Sequence, residues 1–457
     1  MPERGARDQR EVKPRPSLPP GPYLIVGLAR SGTAAALALR ARGEEVIGCD
    51  AGAEKEPRLR AAAGRLCQAG VEVHLDASGD ALAARAGTLI KSPGVAQHAP
   101  AVVAARMRGV PVLGELELAW RLIPNQFLAV TGTNGKTTTT EWIGHIHRVA
   151  GLPAAVAGNV GTAACSFVGM LEPDATVICE ASSFQLEDTE AFAPELGAIL
   201  NLAPDHLDRH GGYADYVAAK LRMFSNQGNH DVAVAPVDLG LEDLGGCARR
   251  VRFGCAPEAD LAERGEHLWW LEEPLVRTDE LSLPGEHNRR NAMAAAAACL
   301  ARGVDPDAVR VGLRGFAGVP HRLELVAVNE QVAYVNDSKA TNVASTIVAL
   351  RSYHDGVHLI AGGRGKGQDF SPLAALVAER CQGVYLIGEA EHELARALEP
   401  AGVPLLVRDD LEHAVERARA RAIEGDVVLL SPACASYDQY SDFKARGEHF
   451  RAVVRTG

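Results

Sequence analysis

Residues 127–138 constrain this chain more than any other stretch. Phe127, Leu128, Ala129 and Val130 form an apolar run that reads as a buried strand. Thr131, Gly132, Thr133, Asn134 and Gly135 make a tight, glycine-bearing turn. Lys136, Thr137 and Thr138 then open a helical pattern carried by Trp142, Ile143, Ile146 and Val149. Strand, glycine loop, Lys-Thr and helix is the order that a phosphate cradle needs. Loop N–H groups and the helix N-terminus point at the anion, and the helix dipole adds favourable partial charge. Lys136 would reach the β- and γ-phosphates, and Thr137 would place its hydroxyl on Mg²⁺. The eight-residue form of the pattern asks for glycine where Val130 stands, so an ordinary strand–helix turn with a surface lysine is the competing reading. The flanking strand and helix favour a nucleoside triphosphate site over Gly132–Thr138.

The whole chain is too long for one core: 457 residues imply two to four domains. Hydrophobic and charged contents of 47% and 23% are those of a soluble globular protein. A net charge of −11 argues against nucleic acid or an anionic membrane surface as partner. The nine cysteines include no C-x-x-C pair, as expected of reduced cytoplasmic thiols. No run of 18 apolar residues predicts a membrane span, and the N-terminus has no apolar signal-peptide core. Residues 1–21, rich in Pro, Arg and Glu, are expected to be a disordered extension.

Taken in order, Tyr23–Val26 is a short strand, followed by a loop from Gly27 to Gly32 and an alanine-rich helix to Ala41. A second strand closes on Asp50. This is the β-α-β-acid layout of a dinucleotide-type fold. Ala29 occupies the position of the glycine that lets backbone approach a pyrophosphate, which disfavours NAD and favours another nucleoside diphosphate in the same crevice. The strand from Thr88 ends in the Pro93-Gly94 turn, a wall of that site. Further polar clusters follow at Gly158-Asn159 and at Glu180. Glu180 ends a strand, placed like the acid that holds Mg²⁺ beside a triphosphate; a helix cap or ion pair is the alternative. His206 could ligate metal or cap a turn. The segment Tyr216–Phe224 reads as a helix carrying Lys220 and Arg222. Asn288 and Asn291 stand at the start of an alanine helix, as N-terminal caps or as amides able to read an adenine edge. From Gly318 a third βαβ unit begins, with polar loops after each strand, so ligands are expected at the carboxyl ends of a parallel sheet.

Together these motifs resemble the Mur ligases of peptidoglycan precursor synthesis. The carriers are the loop at Gly132–Thr138, Gly158-Asn-Val-Gly161, Glu180-Ala-Ser-Ser-Phe-Gln185, Asp205-His-Leu-Asp-Arg-His210, Gly285-Glu-His-Asn-Arg-Arg-Asn291, His321-Arg-Leu-Glu324 and Asn336-Asp-Ser-Lys-Ala-Thr-Asn342. Two more, around Gly362–Gly367 and Leu430–Ser436, resemble the branch of the family that adds D-glutamate. The resemblance spans residues 22–453. It implies an α/β protein of three domains: a Rossmann-like UDP-binding domain (22–114), a central P-loop ATPase-like parallel sheet (115–318) and a Rossmann-like amino-acid-binding domain (319–457). It implies ATP and Mg²⁺ as cofactors, an acyl-phosphate intermediate, and UDP-N-acetylmuramoyl-L-alanine and D-glutamate as substrates of a cytoplasmic monomer.

By position in those motifs, Ser31, Asp50 and Gly94 would contact UDP, and Asn159 substrate or phosphate. Gly132, Thr133, Asn134, Gly135, Lys136, Thr137 and Thr138 would hold the phosphates, and Asn288, Arg322 and Asp337 the adenosine. Thr137, Glu180 and His206 would hold Mg²⁺, joined by Lys220 if it is carbamylated as in the family. Lys339, Thr341, Lys366, Ser436 and Phe443 would bind D-glutamate. Lys136, His206 and Lys220 would carry the chemistry. Rival readings are another amino-acid-adding ligase of the group, a folate polyglutamate ligase, a non-catalytic regulator on the same scaffold, and an NAD oxidoreductase. Cys434 as a nucleophile is disfavoured, because no partner base accompanies it.

Overall fold

The computed structural model describes residues 12–456 except 53–55, 160, 206–208, 242, 284, 366, 408 and 409. The chain divides into two compact units, one ending at Ala317 and the other starting at Gly318.

The first unit holds two sheets. Strands β1 (Tyr23–Val26), β2 (Val46–Cys49), β3 (Glu72–His74), β4 (Thr88–Lys91) and β5 (Val112–Gly114) form a parallel sheet in the order β3-β2-β1-β4-β5. That order puts a crevice at the carboxyl ends of β1 and β4, where the crossover direction reverses. The second sheet contains β6 (Gln126–Thr131), β7 (Ala154–Gly158), β8 (Thr176–Glu180), β9 (Leu196–Ile199), β10 (Val232–Pro236), β11 (Arg249–Gly254), β12 (Leu261–Arg264), β13 (His267–Trp270) and β14 (Glu273–Arg277). Its order is β14-β13-β12-β11-β10-β9-β6-β8-β7. Pairing is parallel from β7 to β12 and antiparallel from β12 to β14. β6 is an interior strand between β9 and β8, fully buried at Phe127–Thr131, and delivers the glycine loop to the sheet's carboxyl edge.

The antiparallel extension β12–β14 was not legible in the sequence. Its buried positions are the adjacent pairs Leu261–Ala262 and Leu275–Val276 and the single Leu268, which leave no alternation to read. The alanine helix is Glu286–Ala301, and its N-cap is Gly285. Asn288 and Asn291 therefore lie inside the helix and are not caps. Every residue from Asn291 to Ala301 is buried, and the small side chains let this helix pack tightly beside the helix Lys136–Val149.

The expected disorder of the N-terminal extension is corrected for residues 12–21. Lys13 Nζ lies 2.6 Å from Asp231, and Arg15 pairs with Glu195 at 3.0 Å while its guanidinium stacks over Trp120. Thr88 Oγ1 donates to Pro20 O at 2.8 Å. Ionic and aromatic anchors, together with Leu18 packed against the core, order this strap, which composition does not reveal.

One hydrophobic cluster runs from Ile25 and Leu39 through Leu116 and Trp120 to Phe127, Val177 and Phe192, so the two sheets of the first unit share a core. A buried ion pair adds to it. Lys91 Nζ, at the end of β4, lies 2.7 Å from Asp188 Oδ2, and both side chains are almost fully enclosed. Asp188 also accepts from Gln97 at 2.7 Å, and its carbonyl accepts from Gly114 N at 2.8 Å. Replacing Asp188 by Ala leaves Lys91 charged and buried, an expected loss of about 3–5 kcal/mol. The measurement is the melting midpoint, with Lys91→Met/Asp188→Leu expected to recover most of the loss. A melting point unchanged in Asp188→Ala would rule out this pair as a fastening of the unit.

The second unit is a six-stranded sheet of β15 (Glu324–Asn329), β16 (Val332–Asn336), β17 (Val357–Gly362), β18 (Cys381–Ile387), β19 (Leu405–Val407) and β20 (Val427–Leu430). The order is β15-β16-β20-β17-β18-β19, with only the β15–β16 pair antiparallel. Separate hydrophobic clusters cover its two faces, one around Leu359, Leu386 and Leu429, the other around Ile360, Val428 and Phe450. The loops after β16, β17 and β20 emerge side by side at the carboxyl edge. No helix among the described residues is long and apolar enough to cross a membrane.

Candidate active site

The loop after β6 is built for close approach. Gly132 has φ +145° and Gly135 φ +84°, conformations that side chains rarely take. A Cβ on Gly135 would lie 2.2 Å from Asn291 Oδ1, so the alanine helix also demands glycine there. Asn201 braces the loop: its Oδ1 accepts from Asn134 N at 2.9 Å and its Nδ2 donates to Asn134 O at 3.1 Å. Thr133 Oγ1 lies 2.9 Å from Tyr216 Oη. The helix starts at Lys136, with Gly135 as its left-handed N-cap.

Several expected residues converge around this loop. Thr137 Oγ1 donates to Glu180 Oε2 at 2.7 Å, and Asn159 Nδ2 to Glu180 Oε1 at 3.3 Å. Glu180 ends β8 and is buried. A Cβ on Gly158 would lie 2.1 Å from Glu180 O, so β7 can approach that acid so closely only with glycine at its end. Thr138 is buried one position further along the helix. Lys136 Nζ turns back on its own loop, donating to Gly132 O at 2.9 Å and Thr133 O at 2.8 Å. Lys220, on the helix Tyr213–Ser225, donates to the same Gly132 O at 2.8 Å. Lys220 is only 1% exposed, and its Nζ lies 4.5 Å from the Tyr216 ring centre. Burial first, and the Lys136 ammonium second, push its pKa down to about 7; Asp205 and Glu180 oppose them.

The donor set fits the ligands that the sequence implies. Two positive-φ glycines, a lysine and a helix N-terminus suit a triphosphate. A hydroxyl and a carboxylate side by side are oxygen ligands of the kind Mg²⁺ takes. Among the described residues no three His, Cys, Asp or Glu side chains cluster as a metal site. His206 lies outside the described residues, as does Lys366.

In the same unit, Ser31 is the second residue of the helix Arg30–Ala41, Asp50 follows β2, and Gly94 follows β4. Asp50 is engaged by backbone: Oδ2 accepts from Leu28 N at 2.7 Å and Oδ1 from Gly52 N at 2.8 Å. Gly32 would place a Cβ 1.8 Å from Gly27 O, so the tight turn of this first loop survives the alanine at position 29. Arg30 donates to Asn159 O at 2.9 Å, linking the first loop to the second sheet. Asn288 stands in the first turn of the helix Glu286–Ala301.

The C-terminal unit gathers a second group. Asp337 follows β16 and is enclosed; burial pushes its pKa up to about 7, against a 2.8 Å hydrogen bond from Ser431 Oγ and the charge of Arg322. Lys339 N donates to His321 O at 3.0 Å, and Thr341 N to Lys339 O at 2.9 Å. Ser436 is buried after β20. Phe443 O accepts from Ser338 Oγ at 2.8 Å. Cys434 is fully buried, and its carbonyl accepts from Arg446. Asn201, Tyr216, Ser431 and Arg446 were missed by motif reading; Ser431 alone carried a signal, as the first residue of the Ser-Pro-Ala-Cys loop.

Comparison with known proteins agrees with this geometry. The family model described as "Mur ligase middle domain" matches residues 130–299, and the one described as "Mur ligase, glutamate ligase domain" matches residues 321–434. A protein of Koribacter versatilis named UDP-N-acetylmuramoylalanine–D-glutamate ligase is 40% identical, over 94% of this chain and 96% of its own. Proteins of the same name from Pelotomaculum thermopropionicum and Myxococcus xanthus are each 41% identical, over 94% of this chain and 96% and 97% of theirs. Among solved structures, the UDP-N-acetylmuramate-alanine ligase of Thermotoga maritima superposes with a TM-score of 0.58 at 21% identity, covering 96% of this chain and 100% of its own. MurF of Acinetobacter baumannii gives 0.58 at 18% identity, over 95% and 93%. These two share the fold. With both domain models matched in order and full-length relatives at about 40% identity, the chain belongs to the Mur ligase family.

Proposed function

We propose that this chain joins D-glutamate to UDP-N-acetylmuramoyl-L-alanine at the cost of one ATP, as a monomeric cytoplasmic enzyme using Mg²⁺. The observation that carries the reading is the meeting of Lys136, Thr137, Glu180 and Lys220 at one glycine loop, in a chain whose full-length relatives bear the D-glutamate ligase name.

A carboxylate is a poor electrophile and its oxygen a poor leaving group. One carboxylate oxygen of the L-alanyl substrate attacks the γ-phosphorus, the bond to the ADP oxygen breaks, and an acyl phosphate forms. The amine of D-glutamate then attacks the acyl carbon, phosphate leaves, and the amine nitrogen loses a proton. Positioning and charge neutralisation carry the first step. Lys136 swings from the Gly132 and Thr133 carbonyls to the transferring phosphoryl group. Thr137 and Glu180 would hold Mg²⁺, which when bound offsets phosphate charge. Lys220, as a carbamate, supplies a further anionic ligand; His206 orients the site or takes the amine proton. Thr341 and Lys366 hold one carboxylate of D-glutamate, and Ser436 with the Phe443 backbone holds the other. UDP lies at Ser31, Asp50 and Gly94.

Phosphate release from ATP with UDP-N-acetylmuramoyl-L-alanine tests the reading. Release is expected to need D-glutamate and to ignore L-glutamate. Dependence on a different amino acid would move the substrate within the family, and no substrate-dependent release would remove the ligase assignment.

A further inference from the structure

Arg446 lies in the first turn of the helix Phe443–Thr456 and is 1% exposed. Its guanidinium is spent on three loops. Nε donates to Ser338 Oγ at 3.0 Å and Nη2 to Ser338 O at 2.9 Å, in the loop after β16. Nη1 reaches Gly362 O at 3.3 Å, at the end of β17. The loop after β20 is held through Cys434 O at 3.1 Å and Ala435 O at 3.4 Å. These are the loops that carry Lys339, Thr341 and Ser436, the residues assigned above to D-glutamate. Gly363 belongs to the same arrangement: a Cβ there would lie 2.3 Å from Ala435 O and 3.0 Å from Arg446 Nη1.

Among the described residues, none of these hydrogen-bond partners is a carboxylate; the carboxylates that favour its charge, Asp438 and Asp337, act through space. Carbonyl dipoles solvate the ion but do not neutralise it. A helix N-terminus also carries positive partial charge, so a cation in the first turn is placed against the dipole. Asp442, just before the helix, offsets it as a cap, its Oδ1 accepting from Ala445 N at 2.9 Å.

We propose that Arg446 is a positioning residue for the amino-acid substrate: its guanidinium sets the spacing of the loops after β16, β17 and β20. The inference rests on the assignment of these loops to D-glutamate. Burial lowers the guanidinium pKa to about 10, so it stays charged at neutral pH.

The test is steady-state kinetics of Arg446→Met and Arg446→Lys, with KM for D-glutamate and for ATP measured separately and melting curves recorded. Arg446→Met is expected to raise KM for D-glutamate about 30-fold, the scale of a lost charge-assisted interaction, and to leave KM for ATP within about threefold. Arg446→Lys keeps the charge but not the planar fork, so it should fall between Met and wild type. If Arg446→Met does not fold, the Lys variant alone decides, with a rise of about fivefold or more in KM for D-glutamate expected on the same scale. An unchanged KM for D-glutamate in the folded variants, with loss only of melting temperature or kcat, would overturn the proposal by showing a purely structural arginine. Ser436→Ala serves as the separate check: if it too leaves KM for D-glutamate unchanged, the glutamate assignment itself fails, and the role of Arg446 falls with it.

Discussion

Lys220→Ala is expected to lower kcat by about 10²–10³-fold, the range for removing a group that stabilises charge at a reacting centre. Formate or acetate should restore part of the loss. The expectation follows from what surrounds the amine. Lys220 is buried and shares the Gly132 carbonyl with Lys136. As an ammonium it would repel both a divalent cation and its neighbour. Its pKa, pushed down to about 7, leaves much of it as the neutral amine near neutral pH. The neutral amine is the form that reacts with CO₂: its lone pair bonds to the carbon, an N–H proton goes to water, and an anionic carbamate remains. A short acid entering the space left by Lys220→Ala would replace that anion.

The pH dependence has a definite sign. Below about 7 Lys220 is protonated and cannot add CO₂; above it the amine is neutral and can. Enzyme stripped of CO₂ should therefore regain activity with bicarbonate readily at pH 8 and poorly at pH 6. Labelled bicarbonate should give a carbamate carbon signal at pH 8 that Lys220→Ala lacks. The same shift affects folding. An unfolded lysine titrates near 10.5, so the contribution of the neutral buried amine is full above that value and is lost as pH falls through about 7. Absence of both the carbon signal and any rescue would sink the carbamate.

How much of this could be read from the chain depends on how local the chemistry is. The phosphate loop was legible because a cradle needs contiguous residues: β6, Gly132, Gly135, Lys136 and Thr137 fall where the spacing puts them. Glu180 was legible as a strand-terminal acid. The state of Lys220 was not, because its partner carbonyl lies 88 residues earlier and its depressing charge belongs to another helix. Arg446 was invisible for the same reason, since its five acceptors sit on three separate loops. The ordered strap at residues 12–21 was misread because disorder was inferred from polar composition, while Arg15 is fixed by Glu195 and Trp120. The antiparallel end of the second sheet escaped because its short strands carry no period of two: His267–Trp270 buries Leu268 alone, and Glu273–Arg277 buries the adjacent pair Leu275 and Val276.

Lys136→Met should reduce D-glutamate-dependent phosphate release by about 10³-fold, the scale for losing a cation at a transferring phosphoryl group. Met keeps the length of the side chain, so the loop should keep its shape and the melting point should change little. Lys136→Arg should not restore activity, since a planar guanidinium cannot take the place of a compact ammonium that bonds to Gly132 O and Thr133 O within one turn. Lys136 also acts on its neighbour, and this separates its two roles. Removing its charge takes away the second cause of the low Lys220 pKa, so Lys220 should titrate higher. The carbamate signal of Lys136→Met should then need a more alkaline pH than in wild type. If activity lost in Lys136→Met returned fully at that higher pH, the work of Lys136 would lie in tuning Lys220. Because phosphoryl transfer itself needs the cation, the signal is expected to return there and the activity is not. A kcat within tenfold of wild type would remove Lys136 from the phosphate site altogether.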